Sequence, residues 1–145
     1  MDALSVNWWA VIVAAVVKFV IGSGWYMSPV GKQWQAAVGL DDAKMRSGMA
    51  PALAVDILAN LMMAYVLARF VIYAGAGTIV DGALVGFMAW LGFIATVTLA
   101  SNTYEQRPFK VFLINNFYLL VALVVMGAII AAWHGVPTAA PPAPV

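Results

Sequence analysis

The chain has 145 residues, of which 65% are hydrophobic and 9% charged, with a mean hydropathy of +0.96. A soluble domain of this length has no core large enough to bury that much apolar surface. A net charge of +1 without a basic run excludes electrostatic nucleic-acid binding, and the lack of cysteine excludes disulfides, iron–sulfur ligation and thiol chemistry.

Four apolar stretches, at about residues 6–27, 50–73, 82–101 and 111–133, are each long enough to cross a hydrocarbon core of roughly 30 Å as a helix. The expected fold is all-α: an integral membrane four-helix bundle forming one domain over residues 1–134. Residues 135–145, rich in Pro and Ala, read as a disordered tail. The first stretch lacks a basic leader and contains Lys18, so it reads as a retained helix rather than a signal peptide.

Span 1 ends at Trp25-Tyr26, and the segment 28–49 that follows is the longest connection. Ser28-Pro29-Val30-Gly31 signals a turn, Trp34 to Val38 an interfacial helix, and Asp41 the cap of a short helix with Asp42 and Arg46 at i,i+4 spacing. Pro51 fits the first turn of span 2. The short link 74–78 makes spans 2 and 3 antiparallel neighbours. Gly82 and Gly86 in span 3, with Gly127 and Ala131 in span 4, form small-residue pairs suited to close helix contact, and internal packing is the preferred use over dimerisation.

Lys32, Lys44 and Arg46 lie in the first loop, Arg107 and Lys110 in the third, and the opposite loop and tails have none. The positive-inside rule therefore puts both basic loops in the cytoplasm and both termini outside, which in a bacterial inner membrane is the periplasm. Arg69, near the outer end of span 2, reaches the headgroups from there. Trp8, Trp9, Tyr73 and Trp133 mark the outer edge, and Trp25, Tyr26 and Trp34 the inner one.

An ionisable group inside a span costs about 2.5 to 3.5 kcal/mol unless it finds a partner or water. Lys18 and Asp56 are expected at matching depth, roughly 9 Å in from the cytoplasmic boundary. Lys18 has a stem long enough to snorkel. Asn60 shares the Asp56 face, and Asn115, Asn116 and Tyr118 come from span 4 to similar depth. In one reading the cluster is packing glue, with Lys18 paired to Asp56. In the other it binds or transports a proton, ion or small polar solute. His134 stands alone at the outer end, and the methionines, including Met62-Met63, lack a Met-x-x-Met series, so no metal or other cofactor is expected. No phosphate loop or nucleophile elbow is present, so an enzyme is the weaker class.

Five elements occur in order: Trp25-Tyr26-Met27-Ser28-Pro29, then Gly31-Lys32 with Trp34, Trp90-Leu91-Gly92-Phe93, Tyr104-Glu105-Gln106-Arg107-Pro108 and Ile114-Asn115-Asn116-Phe117-Tyr118. They resemble the bacterial membrane-protein family catalogued as domain of unknown function 1761. The resemblance implies a small four-span membrane protein without an established activity. The paired Tyr and Pro residues after spans 1 and 3 suggest that Tyr104, Glu105 and Arg107 lie near Trp34 and Lys32, closing the cytoplasmic end over Asp56. Besides the lipid bilayer, the expected partners are copies of the chain or a larger membrane complex. An accessory or structural subunit is the alternative to solute binding.

Overall fold

The computed structural model describes residues 5–134, so the tail assigned to 135–145 lies outside the described residues. Among the described residues there is helix and no strand. Helix α1 (Trp8–Met27) begins where the Asn7 carboxamide oxygen accepts from the amides of Trp9 and Ala10, a cap for otherwise orphaned donors. Ser28 ends α1 and caps α2 (Pro29–Val38), which has Pro at its first position. The second helix therefore starts at Pro29, five residues before the expected Trp34. Its turn packs so tightly that a Cβ on Gly31 would lie 1.8 Å from the Tyr26 carbonyl oxygen. Gly39, at φ +69°, then closes α2 in the left-handed conformation.

Asp41 caps as expected, accepting from the Lys44 amide at 2.7 Å. The helix it starts is not short. Helix α3 runs unbroken from Asp42 to Tyr73, 32 residues, with Pro51 in its interior rather than its first turn. Asp42 accepts from the Gln35 side chain at 2.8 Å, tying the end of α2 to the start of α3.

Thr78 and Asp81 form a capping box, which starts the third span at Ile79, three residues before the expected 82. That span is one rod built from α4 (Ile79–Ala89), a π-helical segment (Trp90–Ala95) and α5 (Thr96–Tyr104). Helix α6 (Phe109–His134) is the last helix among the described residues.

Four of these rods, Trp8–Met27, Asp42–Tyr73, Ile79–Tyr104 and Phe109–Trp133, are long and apolar enough to cross a membrane. Their outward faces carry large apolar side chains such as Val20, Leu58, Met62, Met88, Phe93 and Val97, all exposed. Exposed aliphatic faces on every long helix are what a multi-pass membrane protein presents to lipid.

Cross-helix contacts fix the directions. Gly22 meets Tyr118 while Trp25 reaches Ile114, so α1 and α6 are antiparallel. Lys18 meets Asn60 while Trp8 stacks on Tyr65, so α1 and α3 are antiparallel. Gly82 meets Gly127 and Gly86 meets Leu123, which makes α4 and α6 antiparallel, and α3 touches α4 across the short link. Helix α6 is the hub: it contacts every other helix, whereas α1 and α4 do not touch.

The packing divides into two halves along the helix axes. The half holding the start of α1 and the end of α6 is a dry core of small and aliphatic side chains, including Ala14, Ala64, Ala68, Met126, Ile130 and Ala131. Alanines at the contact let backbones approach closely, which matters where lipid offers no hydrophobic penalty for separation. In the other half, next to α2, polar side chains are buried as well, Lys18, Asn60 and Asn116, beside Val111, Ile114 and Tyr118.

Candidate functional site: a buried lysine beside an open cleft

Lys18 is only 4% exposed, although it ends in an ammonium. Its Nζ donates to the Asn60 side-chain oxygen and, at 3.0 Å, to the Tyr118 hydroxyl, whose ring centroid is 5.5 Å away. The Asn60 amide in turn donates to Asp56 at 3.0 Å. Lys18 and Asp56 are therefore joined through Asn60, not paired directly, and Lys18 does not snorkel to the interface. The reason is geometric. Cα–Cβ bonds tilt toward the N-terminus of their own helix. On antiparallel helices, two side chains attached at equal depth lean apart, Lys18 toward the dry core and Asp56 toward α2. Asn60, one turn beyond Asp56, is then level with the ammonium.

A second layer lies toward α2. The Tyr26 hydroxyl donates to the Asn115 side-chain oxygen at 2.7 Å, and its ring meets the edges of Tyr118 and Trp34, with centroids 5.7 and 5.3 Å away. The Trp25 indole donates to the Ile114 carbonyl at 3.2 Å and stacks on Phe117. Helix α2 thus packs Trp34 over the cluster from below. The indole Nε1 of Trp34 is buried and has no hydrogen-bond partner in the protein.

Asn116 belongs elsewhere. Consecutive residues on a helix point about 100° apart, so α6 turns Asn115 toward α1 and Asn116 toward the third span. There the Asn116 amide donates to the Thr98 hydroxyl at 2.9 Å and the Phe112 carbonyl at 3.1 Å, while the Trp90 indole donates to the Asn116 carbonyl at 3.1 Å. The π-helical segment makes this second contact possible. Residues 90 and 98 would lie about 80° apart around a straight α-helix, and the extra residue of a π turn removes most of that offset, so both face Asn116. Replacing Thr98 with valine is expected to leave the Asn116 amide short of one partner and cost about 1 kcal/mol. Thermal unfolding in detergent checks it, and an unchanged midpoint would show that this bond contributes nothing.

Tyr104, Glu105 and Arg107 do not close the cleft. Tyr104 is 90% exposed, and Glu105 and Arg107 pair with each other at 2.5 Å within their own turn. None of the three is among the residues that line the cleft beside Trp34 and Asp56. Gln106 stands between Glu105 and Arg107 at φ +53°, a left-handed position that folds the turn back on itself.

The first half of α3 stands off from α1 and α2, leaving a cleft of about 770 Å³. Lys18, Asp56, Tyr26, Trp34 and Tyr118 line it, together with Ser23 and Lys44, which the sequence patterns did not single out. In the sequence Lys44 reads only as a loop charge that sets orientation, and the unbroken course of α3 swings it over the cleft. Among the described residues no three His, Asp or Glu side chains gather as metal ligands would. The chemistry on offer is hydrogen bonding and charge: a buried ammonium, a carboxylate with one oxygen uncommitted, and an unpartnered indole donor.

The model of the family described as "Protein of unknown function (DUF1761)" matches residues 9–131. The chain belongs to this family. In this DUF1761 protein the matched region takes in Lys18, Asp56, Asn60, Tyr118 and Trp34, so the whole cluster lies within it. No curated protein and no solved structure matches the chain.

Proposed function

We propose that this DUF1761 protein binds a small polar or ionic ligand in the cleft beside Lys18, and that the protein sits in a bacterial inner membrane with α2 on the cytoplasmic side. The observation that carries the reading is a charged side chain, 4% exposed, lining a cleft of about 770 Å³ that Asp56 also lines. Packing alone does not call for such an opening next to a buried ammonium, and intramembrane ionisable groups at a cavity mark binding or conduction paths. The orientation is supported by Lys32, Lys44 and Arg46 standing at the same end of the helices as Arg107 and Lys110. Four spans enclose too little interior for a permeation path through one subunit, so any transport would proceed by a conformational change or between subunits.

The deciding measurement is native mass spectrometry of protein released gently from its own membranes. A reproducible small-molecule adduct is expected. Asp56→Asn keeps an oxygen that accepts from Asn60 but removes the charge, so folded yield should be unchanged and occupancy should shift by about tenfold, the scale of a hydrogen bond to a charged group, falling for a cationic ligand and rising for an anionic one. A protein that carries no adduct and is released with other subunits at fixed stoichiometry would sink the binding role. The polar cluster would then be architecture and the protein an accessory subunit docking through its exposed outer faces.

A further inference from the structure

The walls of the cleft are unequal in hydrogen-bonding capacity. Lys18 has used two of its three protons, on Asn60 and Tyr118. The Trp34 indole has used none, and the Lys44 ammonium and Ser23 hydroxyl add further donors. Against these stands one carboxylate, Asp56, already engaged by Asn60. The ionisable groups on the wall are two lysines and one aspartate, so donors outnumber acceptors and the cleft is an acceptor-seeking site.

The cleft also has an apolar extension. A groove of about 270 Å³ runs between α1 and α3, lined by Ile12, Val16, Phe19, Ile57 and Leu61, with the buried Asn60 also on its wall. Phe19 is a wall of both spaces, so the groove starts where the donors end. From Phe19 to Ile12 it spans about 10 Å along α1. Ile12, Val16, Ile57 and Leu61 are all exposed on the outer face of the helices, so the groove opens sideways along its length.

We infer that the cleft and groove together hold a single-chain anionic amphiphile, its carboxylate or phosphate head among Lys18, Lys44 and Trp34 and its hydrocarbon chain between α1 and α3. This rests on the binding role proposed above and names the ligand class. An uncharged head leaves the lysines unanswered, and a free anion leaves the groove unused. An amphiphile answers both, and enters from the bilayer without crossing water.

The test uses the full chain in nanodiscs of neutral phosphatidylcholine, with radiolabelled dodecanoate as probe and empty nanodiscs subtracted. Saturable binding is expected, displaced by dodecyl phosphate and at least tenfold less well by dodecanol. Ile57→Trp fills the groove from an exposed position, and Lys44→Gln removes an exposed head contact. Neither touches the buried network, and each should weaken dodecanoate at least fivefold. Equal displacement by dodecanol, or unchanged affinity in both variants, would overturn the inference. Acetate or inorganic phosphate competing at the same concentration as dodecanoate would also overturn it, and would leave the binding role itself standing for a free anion. Absence of saturable binding overturns it too, while the adduct experiment on native membranes decides the binding role separately.

Discussion

Replacing Gly86 with leucine is expected to remove most of the folded protein, the largest effect of any single change considered for this chain. A Cβ at Gly86 would lie 2.1 Å from the Leu123 carbonyl oxygen and 3.1 Å from the Val124 nitrogen. One turn earlier, a Cβ on Gly82 would lie 2.2 Å from the Gly127 carbonyl oxygen and 2.4 Å from the Ala131 Cβ. These obstacles are backbone or short side chain, so nothing can swing aside. The helices must separate, and separation forfeits close van der Waals packing and weak Cα–H to carbonyl contacts that no hydrophobic effect replaces within lipid. The cost should exceed the roughly 3 kcal/mol at the top of ordinary overpacking. Gly24→Ala is the control, since a Cβ there meets nothing within 4 Å and should gain up to about 1 kcal/mol of helix propensity. Folded yield by size exclusion, followed by thermal unfolding, reads both. Wild-type yield and midpoint for Gly86→Leu would mean that α4 and α6 do not meet at backbone distance.

The second large effect is an asymmetry within the polar cluster. Asn60 is 2% exposed and serves both neighbours at once, accepting from Lys18 and donating to Asp56. Asn60→Leu leaves the ammonium with Tyr118 alone and Asp56 without its protein donor. Uncoupling a buried charge in this way costs about 3 kcal/mol. Lys18→Met removes the charge itself with a side chain of similar length and leaves two neutral oxygens, those of Asn60 and Tyr118, without this donor, so about 2 kcal/mol is expected. The neutral variant should therefore unfold at higher temperature than the one that keeps the lysine. The reverse order would show that water in the cleft solvates Lys18 and that Asn60 contributes little to holding it. Either result bears on the ligand, because an ammonium fixed by Asn60 and Tyr118 presents its third proton in one direction, whereas a solvated one is free to turn.

The two regions differ in how visible they were beforehand. Gly82, Gly86, Gly127 and Ala131 announce a close helix contact by spacing alone, because an i,i+4 pair of small residues shares one face, and the structure decided that the helix they meet belongs to the same chain. Lys18, Asp56, Asn60 and Tyr118 announce themselves by cost, since polar groups in an apolar span need partners. Spacing could not say which of them meet. Asn115 and Asn116 look equivalent in the sequence, yet one serves Tyr26 and the other Thr98, because adjacent residues leave a helix in different directions. The π-helical turn that aligns Trp90 and Thr98 on Asn116 has no residue signature in Trp90–Ala95. Trp34 stands out as an aromatic at the membrane edge, and only packing against Tyr26 shows it to cover the cluster.

The sequence by itself determined the number of long apolar helices and roughly where they lie, the cap at Asp41, and which buried groups required a partner. These follow from hydropathy, backbone hydrogen bonding and the cost of burying charge, all properties of a residue and its near neighbours. Only the tertiary structure decided that Lys18 reaches Asp56 through Asn60, that Glu105 and Arg107 do not line the cleft, and that α3 runs through Pro51 to leave a cleft open at Lys44. Those outcomes depend on the opposed tilt of side chains on antiparallel helices and on how far two rods stand apart, which are relations between segments distant in the chain.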